Sequence, residues 1–154
     1  MPAAVGPRRS GVASVVRAEI EIDAPLARVR EILGDLAAYP EWNPFTPRAE
    51  STLRVGDPIR LQVRLVGERL MDRTEYVTAA EPQRLCWSMK MGARFLLAAE
   101  RCQILTALDG GRTRYLTEDR FRGLLTPLVM RLFGPAMQRG FSDCAAALKK
   151  RAES

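Results

Sequence analysis

Two acidic residues, Glu100 and Asp119, are the side chains of this sequence best placed for acid–base chemistry. The chain has 154 residues and no histidine, which excludes serine or cysteine triads with imidazole, most zinc sites and phosphorelay. Both residues lie in stretches where polar and apolar residues alternate, the pattern of half-buried strands. Two carboxyls that share an apolar cavity include at least one with a raised pKa, which can act as a general acid or base.

The turn that follows the Glu100 strand predicts which way both carboxyls face. Taken as a two-residue hairpin turn, Gly110-Gly111 puts Glu100 opposite Phe121 and places Asp119 on the same face of the next strand. Glu100 and Asp119 are therefore candidates for a general acid–base pair, with Tyr115 on the same face as a hydrogen-bond donor. The alternative, which we favour, is that one or both carboxyls lie at the cavity rim, bonded to water or to Arg94. The opposite face then carries the charged and polar residues Arg101, Gln103, Arg114, Glu118 and Arg120.

The preceding turn, at Gly92-Ala93, gives the same facing. As a two-residue turn it pairs Leu85 with Glu100, which again predicts that Glu100 faces inward. This register leaves three apolar residues on the outer face: Phe95, Leu97 and Ala99. A second copy of the chain or the N-terminal tail would have to cover them. A homodimer is thus one candidate assembly.

The predicted inner face mixes aromatic, methionine and polar side chains. On the strand over 69–79, Tyr76 is expected inside because the other facing would bury Arg73 and Glu75. So many polar groups among buried apolar residues need water or a ligand as partners, which predicts a cavity. Trp42 either lies at the mouth of this cavity as a gate or fills the gap between the short helices and the sheet. The expected ligand contacts are Trp42, Tyr76, Trp87, Met89, Arg94, Leu96, Thr117, Phe121, Met137 and Phe141.

The elements that carry these residues follow from the spacing of apolar side chains. Residues 124–150 repeat apolar positions at steps of three and four, which predicts one long helix with a broad apolar face. Strands are predicted over 14–22, 46–55, 59–66, 69–79, 85–91, 94–108 and 112–121, with two short helices between the first two. The expectation is an α+β fold, one domain over 14–152 after a loose tail over 1–13.

Composition limits the partners. The net charge is +6, but the arginines are scattered along strands without a dense basic run, which favours solvent-facing side chains over nucleic-acid binding. No stretch is long enough to span a membrane. The cysteines Cys86, Cys102 and Cys144 each lie in an apolar run, which predicts buried thiols in a cytoplasmic protein, with a metal site or a disulfide as the minor alternative.

Four short motifs resemble one superfamily across roughly residues 14–150. They are Ile22-Asp23-Ala24-Pro25, Tyr39-Pro40-Glu41-Trp42-Asn43-Pro44, Gly110-Gly111-x-Thr113 and Phe121-x-Gly123-Leu124. The chain resembles the START and birch-pollen-allergen superfamily, and within it the bacterial SRPBCC group with polyketide cyclase/dehydrase-like and lipid-transport proteins. The resemblance implies a helix-grip fold: a seven-stranded antiparallel sheet curved around the long C-terminal helix. Where many relatives carry a histidine in the sixth strand, this chain has Glu100.

Three functions remain open at this point. The resemblance implies an apolar pocket, and the first hypothesis is binding of a small hydrophobic, lipid-like or polycyclic molecule without metal or cofactor. The alternative is a cofactor-free cyclase or dehydratase that uses Glu100 or Asp119 as acid or base and Tyr76 or Tyr115 as a polarising donor. The third is an interaction module whose Phe95 and Leu97 contact another chain.

Overall fold

One antiparallel sheet dominates the computed structural model, which describes residues 13–93 and 95–154. Its strands are β1 (Ala13–Ile22), β2 (Arg48–Glu50), β3 (Pro58–Val66), β4 (Arg69–Glu81), β5 (Arg84–Met91), β6 (Leu97–Ala107) and β7 (Thr113–Arg122). Their order across the sheet is β1-β7-β6-β5-β4-β3-β2. The tail predicted over 1–13 falls almost entirely outside the described residues.

The helices lie at two places in the chain. Between β1 and β2 are α1 (Leu26–Gly34), a 3-10 turn (Leu36–Ala38) and the one-turn helix α2 (Tyr39–Trp42), and the chain closes with α3 (Thr126–Glu153). The predicted α+β helix-grip fold is confirmed by this element order and by the curved seven-stranded sheet. The motif that begins at Tyr39 therefore starts with the turn of α2. None of the described helices is long and apolar enough to cross a bilayer.

The two halves of α3 are packed differently. In its second half Phe141, Cys144 and Leu148 are at most 1% exposed, and they pack against the sheet and against α1. In its first half Leu128 and Leu132 are 53% and 61% exposed. The C-terminal half of the helix is therefore packed into the core, whereas the N-terminal half covers the sheet more loosely, with half-buried side chains such as Val129 and Phe133.

The register between β6 and β7 differs from the prediction by one residue. The connection has five residues rather than two, because Ala107 pairs with Thr113 and the Leu108 N–H donates to the Arg112 carbonyl. Gly110 and Gly111 both have φ of 73°, a left-handed conformation that glycine adopts readily. A shift of one residue turns every side chain of a strand to the other face. The predicted facing of β6 was wrong for this reason.

The corrected register moves several residues of β6. Leu97, Ala99 and Arg101 point inward and are at most 7% exposed, whereas Glu100 lies on the outer face. The link between β5 and β6 is also longer than predicted, because Met91 pairs with Leu97. Since Leu97 and Ala99 are buried inside this chain, they provide no surface for a homodimer, and the homodimer stays a prediction.

Strand β4 also has the opposite facing to the one predicted. Met71, Arg73 and Glu75 point toward α3, and Tyr76 is 54% exposed on the outer face. The prediction avoided burying Arg73 and Glu75, but the fold leaves a cavity at this place, where two charged groups keep access to space that water or a ligand can fill.

Two of the three cysteines are paired. Cys86 and Cys102 lie directly opposite each other on β5 and β6, with Cα atoms 4.2 Å apart, and they form a disulfide. Cys144 is free and buried in α3. The prediction of three thiols was therefore wrong for this pair, because the corrected register of β6 brings Cys102 to the same outer face as Cys86. The cytoplasmic location stays a prediction.

Candidate functional site

A cavity lies between the inner face of the sheet and the first half of α3, where the sequence predicted one. It offers about 110 Å³ to the centres of water molecules, several times the ~10–15 Å³ that a single water needs. Its walls are mostly apolar, with four charged residues among them. The lining residues are Phe45, Thr46, Leu61, Val63, Leu65, Met71, Arg73, Glu75, Trp87, Met89, Met91, Leu97, Ala99, Arg101, Asp119, Phe121, Val129, Phe133, Met137 and Phe141.

Arg101 is the most deeply buried charge of the cavity wall, with 7% exposure. Its guanidinium carbon lies 4.4 Å from the centroid of the Phe141 ring, 5.5 Å from that of Phe45 and 5.8 Å from that of Trp87. Its Nε donates a hydrogen bond of 3.3 Å to Thr117 Oγ1. Three aromatic rings and one hydroxyl thus fix the orientation of this cation.

Asp119 lies directly opposite Arg101 on β7. Its Oδ1 is buried without a hydrogen-bond partner, and none of the ion pairs within 4 Å among the described residues includes Asp119. Burial raises the pKa of this carboxyl to about 6, although the positive charges of Arg101 and Arg73 act in the opposite direction. Asp119 is therefore partly protonated near neutral pH.

Glu75 is the second carboxyl of the cavity. Burial, followed by the negative charge of Asp119, raises its pKa to about 7, against the lowering influence of Arg73 and Arg101. The cavity therefore does hold two carboxyls, and the negative charge of one affects the pKa of the other. They are Glu75 and Asp119, not the predicted Glu100 and Asp119. Within the described residues, no cluster of three or more histidine, cysteine or acidic residues could hold a metal ion.

A match to a family model shows to which protein family this chain belongs. The model described as "Polyketide cyclase / dehydrase and lipid transport" matches residues 14–153. The chain belongs to this family. The superfamily resemblance seen in the four sequence motifs is confirmed by this match. Among curated protein sequences, none is similar enough to match this chain.

Solved structures share the fold of this polyketide cyclase/dehydrase and lipid-transport family member. The Zhui aromatase/cyclase from Streptomyces sp. R1128 is 18% identical, with a TM-score of 0.75 over 92% of this chain and 94% of that one. A START superfamily protein from Mycobacterium smegmatis is 22% identical, with a TM-score of 0.67 over 90% and 97%. Norcoclaurine synthase from Thalictrum flavum, in complex with dopamine and hydroxybenzaldehyde, is 14% identical, with a TM-score of 0.68 over 98% and 95%.

Six of the residues predicted from sequence line the cavity of this family member: Trp87, Met89, Asp119, Phe121, Met137 and Phe141. Their roles in binding or catalysis stay predictions. Glu100 does not join them, because its carboxylate lies on the outer face, 41% exposed and 4.0 Å from Arg84. Tyr76 also lies outside, and Leu96 is a half-buried residue of the β5–β6 connection. Arg94 lies outside the described residues.

Three predicted residues lie behind the cavity wall. The Tyr115 hydroxyl donates to Gln103 Oε1 at 2.8 Å, and burial raises its pKa. Thr117 is fully buried and accepts the hydrogen bond from Arg101. Trp42 is half-buried, packs edge-on against Tyr39 with ring centroids 5.2 Å apart, and contacts both core clusters. It fills the gap between the short helices and the sheet, which is the second of the two roles considered.

Sequence reasoning missed Arg73, Glu75 and Arg101 as cavity residues. The signal for the first two was present, since the alternation along β4 allows both facings and only the assumption of a dry interior excluded this one. For Arg101 the polar character of the residue itself pointed outward. Its burial depends on three rings from β5, α3 and the loop after α2, which only the folded chain brings together.

Proposed function

We propose that this protein binds a small, largely hydrophobic molecule in the cavity between the sheet and α3. The observation that carries the proposal is the apolar lining of a space that the fold itself leaves open. Apolar walls that face only water do not gain the free energy that burial in a packed core provides. An apolar ligand in the cavity removes the same surface from water and so provides that free energy. The family description, which names both cyclases and lipid transport, is compatible with this reading.

The composition of the walls favours a ligand with flat or flexible apolar parts. Four methionines line the cavity, and their unbranched side chains adapt to differently shaped ligands. Trp87, Phe121 and Phe141 offer ring surfaces against which an aromatic ligand can stack. These features support a hydrophobic, ring-containing molecule as readily as a short lipid chain.

A matched pair of variants tests whether the cavity is the binding site. Ala99 lines the cavity, and its neighbour Ala98 points to the outer face of the same strand. The probe is N-phenyl-1-naphthylamine, an uncharged dye whose fluorescence rises in apolar surroundings. We expect the wild type and Ala98→Trp to bind the dye and Ala99→Trp to lose binding, because the indole fills the cavity.

Equal dye binding by Ala99→Trp, or none by the wild type, would contradict the proposal. Native mass spectrometry of the purified protein, before and after solvent extraction, adds a test without a chosen probe. A discrete hydrophobic molecule that co-purifies with the wild type and is absent from Ala99→Trp supports the proposal and provides the ligand class.

A second candidate function is acid–base catalysis inside the same cavity. The observation that favours it is the pair Glu75 and Asp119, whose pKa values of about 7 and about 6 lie near neutral pH. The ionised member can take a proton from a carbon next to a carbonyl. The protonated member can give its proton to a carbonyl oxygen or to a departing hydroxyl. In an intramolecular aldol condensation the resulting carbanion attacks a second carbonyl carbon of the same molecule, a C–C bond forms, and the new alkoxide takes the proton of the protonated member. The two carboxyls have then exchanged protonation states, so the second can remove a further C–H proton while the first protonates the hydroxyl, which leaves as water.

Heptane-2,4,6-trione, which cyclises to an aromatic diol by such a condensation, tests the catalytic function. The protein is expected to accelerate its cyclisation, measured by ultraviolet absorbance, and Glu75→Gln or Asp119→Asn should each lower the rate about 10²-fold. Glu100→Gln on the outer face is the matched control and should keep the full rate. No acceleration by the wild type, or an equal loss in all three variants, would contradict catalysis by the cavity pair.

A further inference from the structure

Arg101 is a buried cation without a matching anion. It is 7% exposed, and none of the ion pairs among the described residues includes it. A buried charge is unfavourable unless an opposite charge and hydrogen bonds compensate it. The exposed Arg84 and Arg120, by contrast, each pair with a glutamate within 4 Å.

The hydrogen bonds of Arg101 are also incomplete. A guanidinium carries five N–H donors, and the bond from Nε to Thr117 Oγ1 uses one of them. The Cys144 thiol is the other polar contact from the helix side, and a thiol is a weak acceptor. Because Arg101 belongs to the cavity wall, an acceptor for its remaining N–H groups has to come from the cavity space.

The protein groups around Arg101 do not neutralise it. Those whose charge acts on it are Tyr39, Tyr115, Cys144, Asp119 and, across the cavity, Glu75. Burial raises the pKa of the two tyrosines and of the thiol, so these three stay uncharged. Asp119 and Glu75 are the acidic groups of this set, and neither forms an ion pair with Arg101 within 4 Å. Because burial raises the pKa of these carboxyls to about 6 and about 7, both are mostly protonated below a pH of about 6.

We propose that the ligand of this cavity carries an anionic group, a carboxylate or a phenolate, that pairs with Arg101 while its apolar body fills the rest of the space. This inference rests on the proposed binding function and names the polar end of the ligand. A planar guanidinium matches the two oxygens of a carboxylate. Phe45, Trp87 and Phe141 hold the guanidinium in place before the ligand arrives. Below a pH of about 6, the protonated Asp119 opposite it adds a hydrogen-bond donor.

Two probes of almost the same shape test the proposal: 2-naphthoate and the uncharged 2-naphthamide. Their dissociation constants for the wild-type protein are measured by isothermal titration calorimetry at pH 5.5, where Asp119 and Glu75 are mostly protonated and 2-naphthoate is ionised. We expect 2-naphthoate to bind about tenfold or more tightly than 2-naphthamide, because a charge-assisted hydrogen bond exceeds a neutral one. Arg101→Gln should remove this preference and leave the affinity for 2-naphthamide nearly unchanged.

Arg120→Gln is the matched control, since Arg120 lies on the outer face and pairs with Glu118. It should keep the wild-type preference for 2-naphthoate. Arg101→Lys, which retains the charge without the planar fork, should show a smaller preference than the wild type and serves if Arg101→Gln does not fold. The wild-type comparison needs no variant, and equal affinities for the two probes are by themselves enough to overturn the anion site.

The possible results separate this inference from the function on which it rests. Equal affinities of the wild type for both probes, or a preference that survives in Arg101→Gln, would overturn the anion site while leaving hydrophobic binding intact. Failure of both probes to bind would overturn the binding function and the anion site together. Tighter binding of 2-naphthoate that depends on Arg101 supports both.

Discussion

At the scale of single residues, Glu75 and Asp119 depart most from ordinary carboxyl chemistry. Each faces an apolar cavity, and burial is the main reason why the pKa of each is raised, to about 7 and about 6. The unfolded chain releases these protons at the ordinary values of 4.5 and 3.8. Between the two values the folded state binds more protons than the unfolded state, so the free energy of unfolding falls as the pH rises.

This difference predicts a pH-dependent effect of Glu75→Gln. The wild type should lose stability between pH values of about 4.5 and about 7, and above this window it retains an ionised carboxylate in an unfavourable place. Glutamine has a similar shape without the charge, so the variant should be more stable than the wild type at pH 8 by about 1–3 kcal/mol, after a discount for cavity water. Urea unfolding at pH 5, 6, 7 and 8 measures the difference.

The same series includes Glu100→Gln, whose carboxylate is exposed on the outer face and should not change the slope of stability against pH. Asp119 remains in both variants and still contributes over its own window, from 3.8 to about 6. Parallel curves for the wild type and Glu75→Gln above pH 6 would show that Glu75 is ordinarily hydrated in the folded state.

At the scale of elements, α3 decides how wide the cavity is. It approaches the rest of the chain closely at Gly140, where an added methyl group would overlap the ring of Phe45. The Phe45 ring in turn packs edge-on against Phe141, with ring centroids 5.3 Å apart, and contributes to the cage around Arg101. A glycine in a helix interior is therefore required here by packing, although alanine is the better helix former.

Gly140→Ala should destabilise the protein by about 1–3 kcal/mol, because overpacking exceeds the gain of about 1 kcal/mol in helix propensity. If the Phe45 ring is the cause, Phe45→Ala should turn the same glycine substitution from harmful to neutral or stabilising. A double-mutant cycle by chemical unfolding measures this coupling. Additive effects of the two substitutions would mean that helix α3 tolerates a methyl group at this position by another route.

The two sides of α3 also predict contrasting effects of substitution. Leu128 and Leu132 are more than half exposed, whereas Leu148 is fully buried. Replacing both exposed leucines with lysine should change the free energy of unfolding by no more than about 0.5 kcal/mol per site. Leu148→Ala should lower it by about 2–5 kcal/mol through lost burial and a new cavity. A large loss in the double lysine variant would place these leucines in a contact beyond the described residues.

At the scale of the whole molecule, the sheet has two faces with different tasks. The inner face forms the cavity with α3, and the outer face carries the ion pairs of Arg112 and Arg114 with β1 and the disulfide Cys86–Cys102. The disulfide joins β5 and β6 at positions next to Trp87 and Arg101, whose side chains point to the cavity. The outer face therefore fixes the two strands that provide the polar end of the site.

Removal of this disulfide should lower the free energy of unfolding by about 1–3 kcal/mol, since it closes a loop of 16 residues in the unfolded chain. The comparison uses the wild type and the double variant Cys86→Ser/Cys102→Ser, each with and without a reducing agent. Reduction should lower the melting temperature of the wild type alone. An equal response of both proteins would assign the effect to another group.

The sequence by itself determined the elements, the α+β fold and the family, because alternation, helical spacing and turn residues are local properties of the chain. It also identified Trp87, Asp119, Phe121 and Phe141 as inward-facing. It did not determine the facing of β4 or β6, and so it assigned Glu100 and Tyr76 to the cavity in place of Glu75 and Arg101. Side chains alternate with a period of two, so a loop of five residues instead of two inverts a whole strand. Burial, ring contacts and raised pKa values arise only when distant segments meet, which is why tertiary structure alone decided the chemistry of the site.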